Sequence, residues 1–566
     1  MTLRQHFVAI AAVSAGLGCA SSPPSSSPAP ARTDVAITPA DVRSRIYLIA
    51  DDSMLGRQAG YLGNFKMTKY LAAEAARLRL EPAGENGSYF QTVPMVRRAV
   101  DSSSFLKVNG DSLRLFADFA PIRPTPTLRL ATFLSVNGAL AVYGGRAGDT
   151  AATITPSVAA GRIVVLDAPL DVSGRRSGVY AAAATSAVAR YPGAAAIAIA
   201  ALDLVSPAAA SSLSGRTGTL LMPVDASRPT PAGILITANA AEKLMGAPLG
   251  ALLPGAMGRP VSLTVKFSDL PVEAAARNVV AILRGSDPAL RGEMIAIGAH
   301  NDHLGIAPRK VDHDSLRAYD RVMRPEGAQT RAPAPTAEQW TKIHAILDSL
   351  RRLRPPRADS IFNGADDDGS GSVAELEIAE SLVAGPRPRR SILFVWHTGE
   401  EAGLLGSAWF TDHPTVPRDS IVAQLNMDMV GRGTAEDVPR GGPRNLQVIG
   451  ARRLSTELGV LIDSVNARRS APYDIDYSFD APRHPLNRYC RSDHYMYARY
   501  GIPIAFFSRG YHIDYHVVTD EPQYINYEGL AQVAGFVRDV ALELANRDRR
   551  IVVDGPKPDP QAACQQ

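Results

Sequence analysis

"ILFVWHTGEEAGLLGS", residues 392–407, sets five apolar residues in a row and then, after a His-Thr-Gly step, two adjacent glutamates, Glu400 and Glu401. An unbroken apolar run of strand length fits a strand covered on both faces, as in a parallel sheet flanked by helices. Neighbouring carboxylates repel, so a fold that puts both at the end of such a strand needs a cation there or a reason to tune their pKa. The bland alternative is a solvated helix start that binds nothing. What the other strands carry at their ends decides between the two.

Four further runs have the same character: "NVVAIL" (278–283), "MIAIGA" (294–299), "VAQLNM" (422–427) and "IPIAFF" (502–507), with helical patterns between several of them, including "GSVAELEIAESLVAG" (371–385). Apolar strands alternating with helices predict an α/β fold with a mostly parallel, mixed central sheet flanked by helices. "MIAIGA" runs into His300, "VAQLNM" into Asp428, and "IPIAFF" leads through "SRGYHIDY" to His516. Ligand crevices in open α/β sheets lie outside the carboxyl ends of the strands, so imidazole and carboxylate groups converge on one rim. The loop "NGADDDGSGS" (363–372) adds three aspartates before a helix. They read either as a cap with solvated acids or as a carboxylate held between two cations. Imidazole and carboxylate without sulfur favour zinc, with cobalt or manganese as substitutes, and no Cys-x-x-Cys offers a thiolate site.

The chain has 566 residues, long enough for two or more domains, with 46% hydrophobic and 20% charged residues and a net charge of +4. No basic stripe interleaved with aromatics is visible, which argues against nucleic acid as a partner. The first residues, "MTLRQHFVAIAAVSAGLGCASS", pair Arg4 with an apolar stretch too short to span a bilayer and read as an export signal over 1–18. Cys19 stands where a bacterial lipoprotein would be acylated, although Gly16 rather than Leu lies three places before it. Residues 19–38, Ser- and Pro-rich, form a tether, so the membrane is expected as a partner only through a lipid anchor at Cys19, with the protein facing the periplasm or cell exterior. From Pro39 to about Leu80 the pattern is helical, Met67, Leu71, Ala75 and Leu78 sharing one face. Residues 128–268 read as a small β-rich module, and 549–566 as a disordered tail bearing Cys564, whose pairing with Cys490 stays open.

"GAHNDHLG" (298–305), "NGADDDGSG" (363–371), "HTGEEAGLLGS" (397–407), "NMDMVGR" (426–432) and "SDHYMY" with "GYHIDYHVVTDEP" (492–497, 510–522) together resemble the M28 zinc metallopeptidases, in that family's order. The likeness extends upstream through residues 56–84 and spans a catalytic domain over 39–127 and 269–548, with 128–268 resembling an inserted protease-associated (PA) domain. The resemblance implies two zinc ions per chain bridged by Asp367, with Asp366 as the alternative register and Asp368 following across an unusual peptide bond. His300 and Asp428 would complete one zinc, Glu401 and His516 the other. Glu400 would be the general base and acid, Asp302 would orient the His300 site, and Tyr515 would stabilise the oxyanion. His303, His397, His494 and His512 would play supporting parts. The implied activity is that of an exported aminopeptidase acting on peptides. The competing readings are a carboxypeptidase or dipeptidase using Arg491, Arg499 or Arg509 for a terminal carboxylate, and an inactive surface binding lipoprotein. The stretch 306–361 is longer than the family usually shows and joins two of the implied ligand loops, so it should lie at the site mouth.

Overall fold

A computed structural model describes residues 33–566 except 125–127, 172–173, 206–212, 214–218, 222–229, 331, 439–440, 561 and 563. The expected export signal, Cys19 and most of the tether lie outside the described residues. The helical N-terminal region forms two helices, α1 (Pro39–Ile49) and α2 (Leu62–Arg77). Thr38 caps α1 by accepting the Asp41 backbone N–H, and Pro39 takes the first turn, where its missing N–H costs nothing.

The inserted β-rich module contains a ten-stranded sheet. Its centre is β1 (Phe133–Arg146), β2 (Ile163–Asp167), β3 (Ala196–Ala200) and β4 (Ala232–Ile236), paired in parallel, with the long β5 (Met257–Pro271) antiparallel to β1. The module begins earlier than the sequence suggested. Residues 96–100 and 105–108 pair with β5, and residues 119–121 with β4, so the strands between 96 and 121 belong to this sheet. Short strands such as "VRRAV" and "FLKV" carry too little periodicity to be assigned without the fifteen-residue partner that holds them.

The second sheet has nine strands. Named in chain order they include β6 (Arg277–Leu283), β7 (Met294–His300), β8 (Ser391–His397), β9 (Ile421–Met427), β10 (Asn445–Ile449) and β11 (Ile504–Ser508). Their order is β6-β8-β7-β9-β11-β10, with β8, β7, β9 and β11 mutually parallel and the flanking β6 and β10 antiparallel. Every residue of β6, β7, β8, β9 and β11 is buried. Each fully buried Ile, Leu or Phe contributes roughly 1.5–3 kcal/mol relative to exposure, which fixes the register of these runs.

Helix α5 (Gly369–Ala384) and helix α6 (Tyr527–Asn546) bury against this sheet; between β7 and α5 come α3 (His313–Met323) and α4 (Ala337–Leu353). A Cβ on Gly371 would lie 2.3 Å from the Met427 carbonyl oxygen, so only glycine lets α5 start this close to β9. Arg45 of α1 donates to Glu74 of α2 and to Glu377 and Glu380 of α5 at 2.6–2.7 Å, all buried, riveting three helices together.

The stretch 306–361 rises on an antiparallel ribbon, residues 305–312 with 358–362, and carries α3 and α4. It reaches the loop between β11 and α6: Ala328 N–H donates to the Tyr515 carbonyl at 3.1 Å, and Arg317 pairs with buried Asp514 at 2.9 Å. Gly327 (φ 57°) makes that approach possible, since a Cβ there would be 2.6 Å from the Tyr515 carbonyl oxygen. The C-terminal tail also departs from expectation. Cys564 is bonded to Cys490, Asp554 accepts the Thr456 N–H, and Gln566 accepts the backbone N–H groups of Arg483 and Tyr489. Polar, Pro-bearing composition made 549–566 look disordered; a covalent link and long-range hydrogen bonds order its described part instead.

Candidate active site

The carboxyl ends of β7, β8, β9 and β11 and the start of α5 bring the acids and imidazoles together. His300, the last residue of β7, donates from Nδ1 to the Asp302 carbonyl oxygen at 3.1 Å. That fixes its tautomer and turns Nε2 toward Asp367 Oδ1 at 3.2 Å, Asp428 Oδ1 at 3.8 Å and Glu400 Oε2 at 3.9 Å. On the other side His516 Nε2 lies 3.0 Å from Asp367 Oδ2 and 3.0 Å from Glu401 Oε2.

The three aspartates divide their work. Asp366 accepts from Gly431 N–H at 2.6 Å and stands 3.0 Å from His512 Nε2. Asp368 accepts from the N–H groups of His300 (3.1 Å) and Gly371 (2.8 Å), capping α5. Asp367 is the acid whose two oxygens face His300 and His516, and the peptide bond after it is cis. Its Oδ2, although buried and close to His516, makes no hydrogen bond among the described residues.

Donors bound at about 2.0–2.1 Å to one tetrahedral cation sit ~3.3 Å apart. His300, Asp367 and Asp428 lie close enough together to hold one ion, and Asp367 and Glu401 share a second group to which both His303 and His516 offer an imidazole. His303 also approaches the second group, with Nδ1 2.7 Å from Glu401 Oε1 but 3.9 Å from Asp367 Oδ2. That is a hydrogen bond to one ligand and not a shared ligand position, so His303 steadies Glu401 while His516 faces both acids.

Asp302 does something different from what the sequence suggested. Its carboxylate is 3.7 Å from His300 Nδ1, too far for a hydrogen bond, and instead Oδ1 accepts the Glu400 backbone N–H at 3.1 Å. Asp302 therefore anchors Glu400, while its main-chain carbonyl orients His300.

The electrostatics are those of a crowded acidic cluster. Burial pushes Glu400 well above the usual carboxylate range, His300 opposes this, and the neighbouring Glu401 and Asp428 charges add to it. Asp428 is likewise raised, to about 6, by burial. Glu401 is pushed up by burial and by Asp367, but His516 and His303 outweigh both and bring it to about 2. Burial lowers His300 and His516, yet the surrounding carboxylates hold both well above the usual imidazole range. So many buried carboxylates at one place call for positive charge among them, which a divalent cation can supply.

Tyr515 is buried, stacks on His516 with ring centroids 3.9 Å apart, and is kept well above the usual phenol range chiefly by burial, so its O–H is retained as a donor. His397 bonds Tyr497 and His494 stacks on Phe506, both buried and both pushed down to about 3 by burial. Of the three arginines considered from sequence, Arg499 pairs with Asp412 and Arg509 donates to the Gly442 carbonyl. Arg491 lines the pocket that opens beside Glu400, Asp428 and Tyr515.

Sequence reading passed over three contributors. Asp520, in "TDEP", accepts the backbone N–H groups of Asp366 and Asp367 at 3.0–3.1 Å and holds the aspartate loop. Arg57 donates to the carbonyls of Asn363 and Gly364 in the same loop, and Arg488 lines the pocket. Asp520 and Arg57 lie within stretches that carry the resemblance (510–522 and 56–84), without a role being read for either; Arg488 has no local pattern to mark it.

Residues 278–541 match the family model described as Peptidase family M28. These residues belong to peptidase family M28. The M28 domain contains all the ligand candidates above. Over 176 residues the chain is 30% identical to a probable leucine aminopeptidase of Arthroderma otae, and over 196 residues 32% identical to leucine aminopeptidase 1 of Penicillium rubens. The matches cover 30% and 32% of this chain, and 43% and 47% of those relatives, so the chain spans less than half the length of either. Among solved structures, the aminopeptidase from Aneurinibacillus sp. strain AM-1 aligns over 93% of this chain and 97% of its own, with 17% identity and a TM-score of 0.47.

Proposed function

We propose that the chain is a zinc-dependent aminopeptidase that removes N-terminal residues from peptides. The observation that carries the reading is Asp367, whose two oxygens stand between His300 and His516 with Asp428 and Glu401 completing the two groups. Two zinc ions are the proposed complement, His300, Asp367 and Asp428 holding one and His516, Asp367 and Glu401 the other. Bound there, zinc supplies Lewis acidity that polarises a carbonyl and acidifies water. The family membership and the names of the curated relatives support the same reading.

The remaining roles belong to this chain's side chains. Glu400, anchored through its backbone by Asp302, takes the proton of the attacking water and returns it to the leaving amine. Tyr515 donates its retained O–H to the developing oxyanion. Export is also part of the proposal, supported by the N-terminal segment and by the Cys490–Cys564 bond, which belongs to oxidising compartments. Lipidation at Cys19 and a PA-type identity for the β-rich module are proposed with it.

Amino-acid p-nitroanilides, assayed beside their N-acetyl counterparts and with zinc content measured on the same sample, test the reading. Turnover restricted to free amines, abolished by chelator and restored by zinc, is expected. Equal turnover of acetylated substrates would remove the aminopeptidase assignment, and fewer than two zinc ions per chain after reconstitution would remove the dinuclear one.

A further inference from the structure

Arg488 is 2% exposed, yet no carboxylate oxygen lies within 4.0 Å of its guanidinium among the described residues. Most other arginines buried this deeply are paired: Arg45 with three glutamates, Arg98 with Asp269, Arg390 with Glu293, Arg432 with Asp437 and Asp514. Arg57 and Arg509 also lack a carboxylate at that range among the described residues, but neither is among the residues lining the pocket beside the candidate ligands. Arg488 donates to Gln447 and, at 2.9 Å, to Ser508, both neutral, and its Nε has no hydrogen-bond partner among the described residues. Aromatic faces compensate part of the charge, with Tyr511 at 4.5 Å and Phe506 at 5.4 Å. The nearest acid to act on it is Asp428, beyond contact distance, and a buried cation with no carboxylate in contact is costly to keep.

The pocket that Arg488 lines is a small cavity of about 20 Å³ that opens to solvent, and its lining also includes Glu400, Asp428, Tyr515 and Arg491. Arg491 places Nη2 3.4 Å from the Tyr515 hydroxyl and sits over Tyr511 at 5.4 Å. Two guanidinium groups therefore share the pocket with the proposed base and ligands. Once Asp367, Asp428 and Glu401 are committed to cations, the arginine charge has no remaining acid of the protein at contact distance in the case of Arg488.

We propose that this pocket binds a carboxylate of the substrate, through Arg491 with Arg488 beneath it. The inference rests on the peptidase reading and adds the substrate class. A carboxylate can come from an acidic N-terminal side chain or from the terminal carboxylate of a dipeptide, and both would meet the same guanidinium charge. Arg488 and Arg491 flank Cys490, so the bond to Cys564 holds the turn that presents them.

The test is calorimetric and does not depend on turnover. Zinc-loaded Glu400→Gln protein is titrated with glutamic acid α-amide against glutamine amide, which differ only in side-chain charge, and with Leu-Gly against Leu-Gly amide. The proposal expects about a tenfold or greater preference for the carboxylate member of at least one pair, the size of a charge-assisted contact. The first pair identifies a side-chain carboxylate and the second a terminal one. Arg488→Met or Arg491→Met, added to this background, should shrink the preference at least threefold. A smaller preference in both pairs, or a preference that survives both substitutions, overturns the proposal. Should Arg488→Met fail to fold, as judged by circular dichroism and zinc content, Arg491→Met decides alone. Discrimination without any p-nitroanilide turnover by the unaltered protein would leave the pocket standing and remove the peptidase reading; turnover without discrimination would do the reverse.

Discussion

Both sheets of this protein contain buried parallel strands of nearly identical character: "IVVLD" and "AIAIA" in the inserted module, "MIAIGAH" and "IVAQLNM" in the M28 domain. They differ in what happens at the last residue. Asp167, which ends β2, pairs with Arg146 and Arg176 at 3.0 Å, and its charge is answered within the module. At the ends of β7, β8 and β9, by contrast, Glu400, Asp428, His300 and their neighbours face one another in a cluster of candidate ligands. Strand pattern sets the architecture in both, while chemistry depends on whether the polar residue at the strand end finds a partner nearby or converges with others like it.

The comparison breaks first at the base. Glu400→Gln should retain both zinc ions and lose roughly 10²–10⁴ in kcat, the usual contribution of a positioned general base, while Asp167→Asn leaves kcat within about twofold. Steady-state rates and elemental analysis on the same samples check this. Next come the ligands. His300→Ala and His516→Ala should each lose one zinc ion, whereas His303→Ala should keep two and lose about tenfold in rate through a looser Glu401.

A third expectation follows from the imidazoles. Burial lowers His300 and His516, but the carboxylates around them raise both well above the usual histidine pKa. Below those raised values zinc must displace the protons, so affinity should fall as pH drops, by about tenfold per pH unit for each proton displaced, and binding should release protons. Titration in buffers of different ionisation enthalpy measures the count; binding unchanged between pH 8 and pH 6 would exclude these imidazoles as ligands. The smallest effect concerns the buttress. Arg317→Met should lower kcat by only about threefold to tenfold, with zinc retained, by loosening Asp514 and the Tyr515–His516 turn. Lys342→Met, whose partner Glu338 is exposed on α4, should change nothing measurable.

Much of this site could be read from sequence because its residues sit where strands end. His300, Asp428 and the Glu400–Glu401 pair follow directly on apolar runs, and the order of the motifs carried Asp367 and His516 with them. The sheet was legible for the same reason, each run being buried end to end. What stayed hidden depends on distant partners. The strands at 96–121 make sense only against β4 and β5, more than a hundred residues away, and the tail only against Cys490. The motif sets Asp302 beside His300, but sequence spacing cannot say that its carbonyl meets the imidazole while its carboxylate accepts from Glu400. Arg488 carried no local signature at all: an arginine in a loop reads as solvated until its burial and its lack of a counter-ion are seen together.

The covalent link between Cys490 and Cys564 has a practical consequence at the bench. It closes a span of 74 residues whose far end is stitched through Gln566 to the turn carrying Arg483 and Tyr489. A preparation handled in dithiothreitol and one handled in air would be two different reagents, the first with its terminal segment unlatched and the Arg488–Arg491 turn freer to move. Rates collected from the two should not be pooled, and non-reducing electrophoresis beside thiol counting tells which reagent is in the tube.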